Sequence, residues 1–316
     1  MIVAAAQATP AFLDRDATVD RACALIADAR SAGAALVAFP EAFVPAYPDW
    51  VWTVPAKEKT LLNFLYGELL AQAVTVPSAA TDRLCAAARS ARIHVVIGIN
   101  ELNADASGTS LFNTLLYIDD EGRIIGVHRK LVPTGGERLV WAQGDGASLV
   151  AYETRIGRIG GLICWENYMP LARYAMYASG TQIYIAATWD YGEPWLSTLR
   201  HIAKEGRTFV IGCTMPLRRA DIPERLGFVD RYRPDREWIN PGGSAIVDPE
   251  GRLLAGPVTQ QETLVTAEID VAATRGPRWI LDVAGHYARP DVFHLTIDRT
   301  PRSIVAVYEN ASKAEM

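Results

Sequence analysis

The sequence predicts an α/β fold in which helices cover a mixed β-sheet. Three observations predict it. Residues 2–39 read as strand, helix and strand, the crossover unit of such folds. Arg158-Ile159-Gly160-Gly161-Leu162-Ile163-Cys164 reads as a buried apolar strand running into a turn and then a helix. Half of the 316 residues are hydrophobic and 21% are charged, the balance of a globular chain with a sizeable core.

Each element has a local reason. Residues 2–7 are strand-like, and Thr9-Pro10 ends them. Residues 16–32 place Val19, Ala22, Cys23, Leu25, Ile26 and Ala29 at helical spacing, and Gly33 closes the helix. Residues 35–39 are a buried strand stopped by Pro40. Residues 43–52 are a loop rich in proline and aromatic residues, followed by helices over 57–73 and 80–91 and a strand over 93–101. Residues 111–118 and 123–131 make a hairpin about Asp119-Asp120-Glu121-Gly122. After a loop over 133–146, residues 148–154 and 158–163 form a second hairpin about Gly157. The helix over 171–179 has Pro170 in its first turn, where the missing N–H costs nothing, and Gly180 at its end. A strand over 182–187, a helix over 196–205 and a strand over 208–213 follow. Residues 218–238 are charged and broken by proline, an excursion suited to a subunit contact. A hairpin over 244–254 and a last core strand over 264–269 complete the pattern. No repeat or composition shift marks a boundary, so residues 1–294 read as one domain and 295–316 as a C-terminal tail.

The net charge of −5 argues against nucleic acid or an anionic membrane as partner. Cys23, Cys85, Cys164 and Cys213 are far apart, without a CxxC pair or a histidine at zinc-ligand spacing. Neither a disulfide framework nor a metal site is expected. Residues 1–7 read as a first strand rather than a signal peptide, and no apolar stretch is long enough to span a bilayer. These features lead to the expectation of a reduced, cytoplasmic setting.

Three chemistry-bearing residues lie at predicted strand ends. Glu41 follows the strand over 35–39, Lys130 closes the one over 123–131, and Cys164 ends the one over 158–163. Strand ends distant in sequence can converge on one cleft. Cys164 would be the nucleophile, its thiolate favoured by the adjacent helix start. Glu41 would take and return the proton, and Lys130 would supply fixed positive charge. Taken singly, a cysteine is more often inert packing, and a glutamate or lysine more often a solvated loop end. Trp165 begins the turn after the nucleophile, so its backbone N–H is a candidate oxyanion donor. His128 is a candidate supporting residue, and Tyr47, Trp52, Trp189 and Trp195 are candidates for a pocket lining.

Phe39-Pro40-Glu41-Ala42-Phe43, His128-Arg129-Lys130-Leu131-Val132-Pro133-Thr134 and Cys164-Trp165-Glu166-Asn167 resemble, in order, the Glu, Lys and Cys motifs of the nitrilase superfamily of carbon–nitrogen hydrolases. The resemblance runs from Ile2 to about Phe293. It implies a four-layer α-β-β-α sandwich that pairs into an αββα-αββα homodimer or a higher homo-oligomer. It also implies a catalytic triad of Glu41, Lys130 and Cys164, with Glu137 supporting Lys130 and positioning substrate. The Trp-Glu after the nucleophile is similar to the true nitrilase branch. So are residues 137–146, Trp238-Ile239-Asn240-Pro241-Gly242 and residues 285–291. That branch implies hydrolysis of a small-molecule nitrile to a carboxylic acid and ammonia, through a thioimidate and a thioester on Cys164, with no metal or organic cofactor. The four aromatic candidates would then favour an apolar substituent on the nitrile. The helices over 171–179 and 196–205 are the candidate pairing face. Gly135-Gly136 departs from the branch and would alter loop flexibility or pocket shape. The short tail argues against long helical filaments. Competing readings are an amidase or carbamoylase, a cyanide-degrading hydrolase, and a catalytically silent scaffold; the intact Glu41, Lys130 and Cys164 argue against the last.

Overall fold

Alternation along the strands sets the layers. In β1 (Ile2–Gln7), Val3 and Ala5 face one core while Ala4 and Ala6 face another. Both faces of the strand are therefore covered, which is why the run is continuously apolar. The computed structural model describes residues 1–302 apart from Ala106.

The first half of the chain builds one sheet and its helices. β1 is followed by α1 (Arg15–Ser31), β2 (Ala34–Ala38), α2 (Lys59–Ala71), α3 (Ala79–Ala91), β3 (His94–Leu102), β4 (Leu111–Ile118) and β5 (Ile124–Arg129). The Asp14 side chain caps α1 by accepting from the Ala17 N–H, and Ser78 with Thr81 forms a capping box on α3. The second half adds β6 (Tyr152–Thr154), β7 (Gly157–Ile163), α4 (Pro170–Ala178), β8 (Ile183–Thr188), α5 (Glu193–Gly206), β9 (Phe209–Thr214), β10 (Pro216–Arg218), β11 (Trp238–Val247), β12 (Leu253–Thr259) and β13 (Thr263–Glu268).

The strands form a six-stranded sheet in the order β13-β1-β2-β3-β4-β5 and a seven-stranded sheet ordered β10-β11-β9-β8-β7-β6, with β12 on β11. β1, β2 and β3 run parallel, as do β7, β8 and β9. A central core joins Val3, Leu36, Val96 and Leu115 of one sheet to Ile159, Ile163, Ile185 and Ile211 of the other. A second core lies under α1 and α3, and a third under α4 and α5. Three cores separate four layers, so the expected α-β-β-α sandwich is the observed one.

Several boundaries differ from the sequence expectation. The strand expected over 148–154 shortens to β6, because residues 146–148 form a helical turn. β11 begins at Trp238 and β12 reaches Thr259, both longer than expected. The excursion over 218–238 folds back on its own chain, burying Leu226, Phe228 and Tyr232 against Phe12, Trp50 and Asp49. Of the expected tail over 295–316, residues 303–316 lie outside the described residues. Among the described residues, no helix is long and apolar enough to cross a membrane, and the four cysteines are free.

Candidate active site

The parallel strands of both sheets end at one side of the sandwich, where their following turns meet. Glu41 lies in the turn after β2, Lys130 immediately follows β5, and Cys164 immediately follows β7. All three are buried, at 1%, 1% and 4% exposure. Close backbone approach makes this convergence fit. A Cβ on Gly98 of β3 would lie 2.2 Å from the Pro40 carbonyl and 2.5 Å from Ala42 N, so only glycine lets the Glu41 turn rest on that strand.

Lys130 Nζ donates to Glu41 Oε1 at 2.9 Å and to Glu137 Oε2 at 2.7 Å. Each carboxylate is further restrained. Glu41 accepts from Asn113 Nδ2 at 2.6 Å and from the Trp189 N–H at 2.8 Å. Glu137 accepts from the Thr134 N–H and the Tyr47 hydroxyl, both at 2.7 Å. The Tyr47 ring stacks on Trp189 at 4.5 Å, and Trp52 Nε1 donates to the Tyr47 hydroxyl at 3.0 Å. Ligand atoms of Glu41, Glu137 and Cys164 lie within 4.8 Å of one another, a spacing that could hold a metal ion. The Lys130 ammonium, bonded to both carboxylates, already supplies a cation there, and a metal ion would meet its repulsion.

Cys164 adopts φ +51°, an unfavourable conformation for a side chain other than glycine. It opens a 3-10 turn over Cys164–Tyr168 that precedes α4. Burial pushes its thiol up, the Glu41 charge adds to this, and Lys130 only partly opposes it. These surroundings favour the protonated thiol and work against the thiolate expected from the helix start. Burial also raises the Glu41 carboxyl despite Lys130, making it a stronger base. Burial works against the Lys130 charge, but the Glu41 and Glu137 carboxylates bonded to it outweigh this and hold the ammonium protonated.

A cleft of about 960 Å³ opens above the thiol. Tyr47, Trp52, Trp165 and Trp189 line it. The Trp165 indole is half exposed and donates to Asp190 Oδ2 at 2.8 Å. Trp195 does not line the cleft, which corrects its assignment to the pocket. It is 1% exposed and shares the inward face of α5 with Leu199, Ile202 and Ala203. Its helical spacing to those residues was the overlooked signal. His128 is buried and bonds Glu166 rather than the Lys130 cluster, with Nε2 at 2.8 Å from Oε2. Gly135-Gly136 brings its loop onto the turn over Asp49–Trp52; a Cβ on Gly136 would lie 2.7 Å from the Val51 carbonyl.

Sequence reasoning missed Asn113, Asp49 and Tyr232. Asn113 interrupts the apolar run of β4, and this buried polar residue in an otherwise largely apolar strand is the signal that could have found it. Asp49 and Tyr232 meet in the cleft wall across a separation of 183 residues, and no local pattern encodes such a pairing.

Comparisons with known proteins agree with this geometry. The family model for carbon-nitrogen hydrolase matches residues 2–278. The chain is 41% identical over 304 residues to an aliphatic nitrilase of Sinorhizobium fredii (strain HH103), covering 96% of this chain and 97% of that one. It is 39% identical to the bifunctional nitrilase/nitrile hydratase NIT4B of Nicotiana tabacum, over 98% of this chain and 89% of that protein. Among solved structures, the C. elegans NitFhit protein shares the fold at TM-score 0.70 and 19% identity, over 96% of this chain and 68% of that one. An amidase from Nesterenkonia sp. does so at TM-score 0.64 and 19% identity, over 89% and 94%. The chain belongs to the carbon–nitrogen hydrolase family, in its nitrilase branch.

Proposed function

We propose that the protein is a nitrilase that converts an organic nitrile and two waters to a carboxylic acid and ammonia. The observation that carries this reading is a buried cysteine sulfur in one cluster with two carboxylates and an ammonium, at the floor of an aromatic cleft. A nitrile carbon is weakly electrophilic, so attack needs proton removal from sulfur and proton delivery to nitrogen in concert. Glu41 takes the Cys164 proton as sulfur bonds to carbon, then passes it to the nitrile nitrogen, giving a thioimidate. Glu41 next takes a proton from water as the hydroxyl adds to that carbon. Returning this proton to nitrogen gives an amine, and transfer of the hydroxyl proton to that nitrogen through Glu41, as the carbonyl forms and the C–N bond breaks, expels ammonia and leaves a thioester. A second water, deprotonated by Glu41, displaces Cys164 and releases the acid.

Lys130 and the Trp165 N–H stabilise negative charge as it develops on the substrate. Glu137 holds Lys130 and faces substrate. Tyr47, Trp52 and Trp189 select an apolar substituent. The names of the two nitrilase relatives support nitrile over amide. We further propose that residues 1–294 act as one catalytic domain in the cytoplasm, and that the outer faces of α4 and α5 pair two copies.

Ammonia and carboxylate release from phenylacetonitrile, benzonitrile, an aliphatic dinitrile, cyanide and the matching amides tests the reaction, with Cys164→Ala as control. Carboxylate from organic nitriles, little from amides and none from the variant is the expected result. Turnover of amides alone, or an active Cys164→Ala, would overturn it. Formate from cyanide with no organic nitrile consumed would redirect it to cyanide degradation.

A further inference from the structure

Glu166 occupies a position that the proposed reaction does not use. Its side chain is buried in the turn after the nucleophile. One oxygen, Oε1, accepts from the Leu131 N–H at 2.8 Å. The other, Oε2, accepts from the Ile163 N–H at 2.9 Å and lies 2.8 Å from His128 Nε2. His128 Nδ1 is in turn 3.0 Å from Ser148 Oγ.

The bonded backbone groups are the neighbours of the site. Leu131 follows Lys130, and Ile163 precedes Cys164. β5, which delivers Lys130, belongs to the six-stranded sheet, whereas β7, which delivers Cys164, belongs to the seven-stranded one. A single carboxylate therefore ties the backbone beside the ammonium to the backbone beside the thiol, across the join between the sheets. Cys164 also needs restraint, because its positive φ persists only where surroundings over-determine it. Asn167 supplies the other half of that restraint, with Nδ2 donating to the Leu162 and Cys164 carbonyls at 3.1 and 2.9 Å.

The charge state fits a tether. Burial opposes ionisation of Glu166, but His128 and the two backbone N–H groups outweigh it and hold the carboxyl below its ordinary range. A charged acceptor makes stronger bonds than a neutral one. His128 is itself held at its other nitrogen, Nδ1, by the Ser148 hydroxyl 3.0 Å away, which fixes the ring.

We propose that Glu166 is a positioning residue that sets the separation and aim of Cys164 relative to Lys130, with His128 locking its carboxylate. The rate predictions rest on the nitrilase reading; the alkylation prediction does not. Glu166→Gln keeps length and shape but presents an NH2 group to one of the two backbone donors, so one tether fails. Leu84→Ala, a core truncation beneath α3, serves as a stability control remote from the site. The experiment measures kcat, KM, thermal midpoint and the rate of iodoacetamide alkylation at the Cys164 peptide.

For Glu166→Gln, kcat should fall roughly 10- to 100-fold and KM change less than about threefold, as expected for misplaced reacting groups. Alkylation should slow by a similar factor. In Leu84→Ala both rates should stay near wild type at a comparable loss of thermal midpoint. Values within about twofold of wild type in Glu166→Gln, or equal losses in Leu84→Ala, would overturn the proposal. If Glu166→Gln does not fold, His128→Asn decides: alkylation slowed about threefold or more supports the tether, and an unchanged rate overturns it. A wild type silent on nitriles would defeat the nitrilase reading alone, and the alkylation rates would still judge the tether.

Discussion

At Cys164 the backbone conformation and the side-chain chemistry can be separated by substitution. Cys164→Ala removes the sulfur and should lower turnover roughly 10⁴-fold or more while leaving the fold intact. Cys164→Gly should be equally inactive but more stable than Cys164→Ala by about 0.5–1 kcal/mol, because glycine accepts φ +51° without a Cβ clash. Urea unfolding of the two variants reads this difference, and equal midpoints would mean that the turn carries no strain. Asp49 makes a second prediction. Burial pushes its carboxyl up to about 6, against the opposing pull of Tyr232, Arg236 and Trp189. The folded protein thus keeps a proton that the unfolded chain loses near pH 4. Stability from this group is full below pH 4 and is lost as pH rises through 6. Relative to Asp49→Asn, the wild type should lose up to roughly 3 kcal/mol between pH 4 and 8. A stability difference that stays flat over that range would remove Asp49 from the account.

At the scale of elements, the site depends on strand ends that are held in register by close contacts. Gly98→Ala places a methyl group against the Pro40 and Ala42 backbone and must displace the Glu41 turn. We expect a loss of about 1–3 kcal/mol in stability and a roughly 10- to 100-fold fall in kcat. Thermal unfolding and steady-state rates check both, and a wild-type kcat would show that the turn has slack. The same elements explain what was legible in the sequence. Glu41, Lys130 and Cys164 stand out because each lies at or just past a strand end and sits in a local motif that resembles those of one family, in the same order. β11 and β12 were under-read because Pro241 and Pro257 lie inside them. Proline reads as a breaker, yet it is tolerated where a strand end or edge leaves no ladder bond to lose. Trp195 goes the opposite way: the aromatic-rich stretch suggests a pocket, but α5 starts at Glu193, earlier than the helix expected over 196–205, and so places Trp195 on its buried face. The Asp49–Tyr232 contact and the Glu166 tether were illegible because side-chain pairings between distant segments leave no periodic trace.

At the scale of the molecule, the sandwich leaves apolar surface that one copy does not cover. On α4, Leu171 is 67% exposed and shares a stripe with Tyr174 and Ala178 at spacings of three and four residues. On the C-terminal segment, Trp279 is 80% exposed and Phe293 75%. A net charge of −5 spread over 316 residues opposes self-association only weakly at physiological salt. Burying the α4 and α5 stripe against its two-fold copy would satisfy an isologous interface, in which each helix meets its own counterpart. The proposed pairing face is the outer side of α4, whose first turn follows the Cys164 turn, so association would also brace the nucleophile. Leu171→Asp should therefore shift the protein from dimer to monomer in sedimentation velocity and lower kcat together with association. If Leu171→Asp leaves the sedimentation coefficient unchanged, the pairing face lies elsewhere. If it yields a fully active monomer, the helices pair without supporting the site.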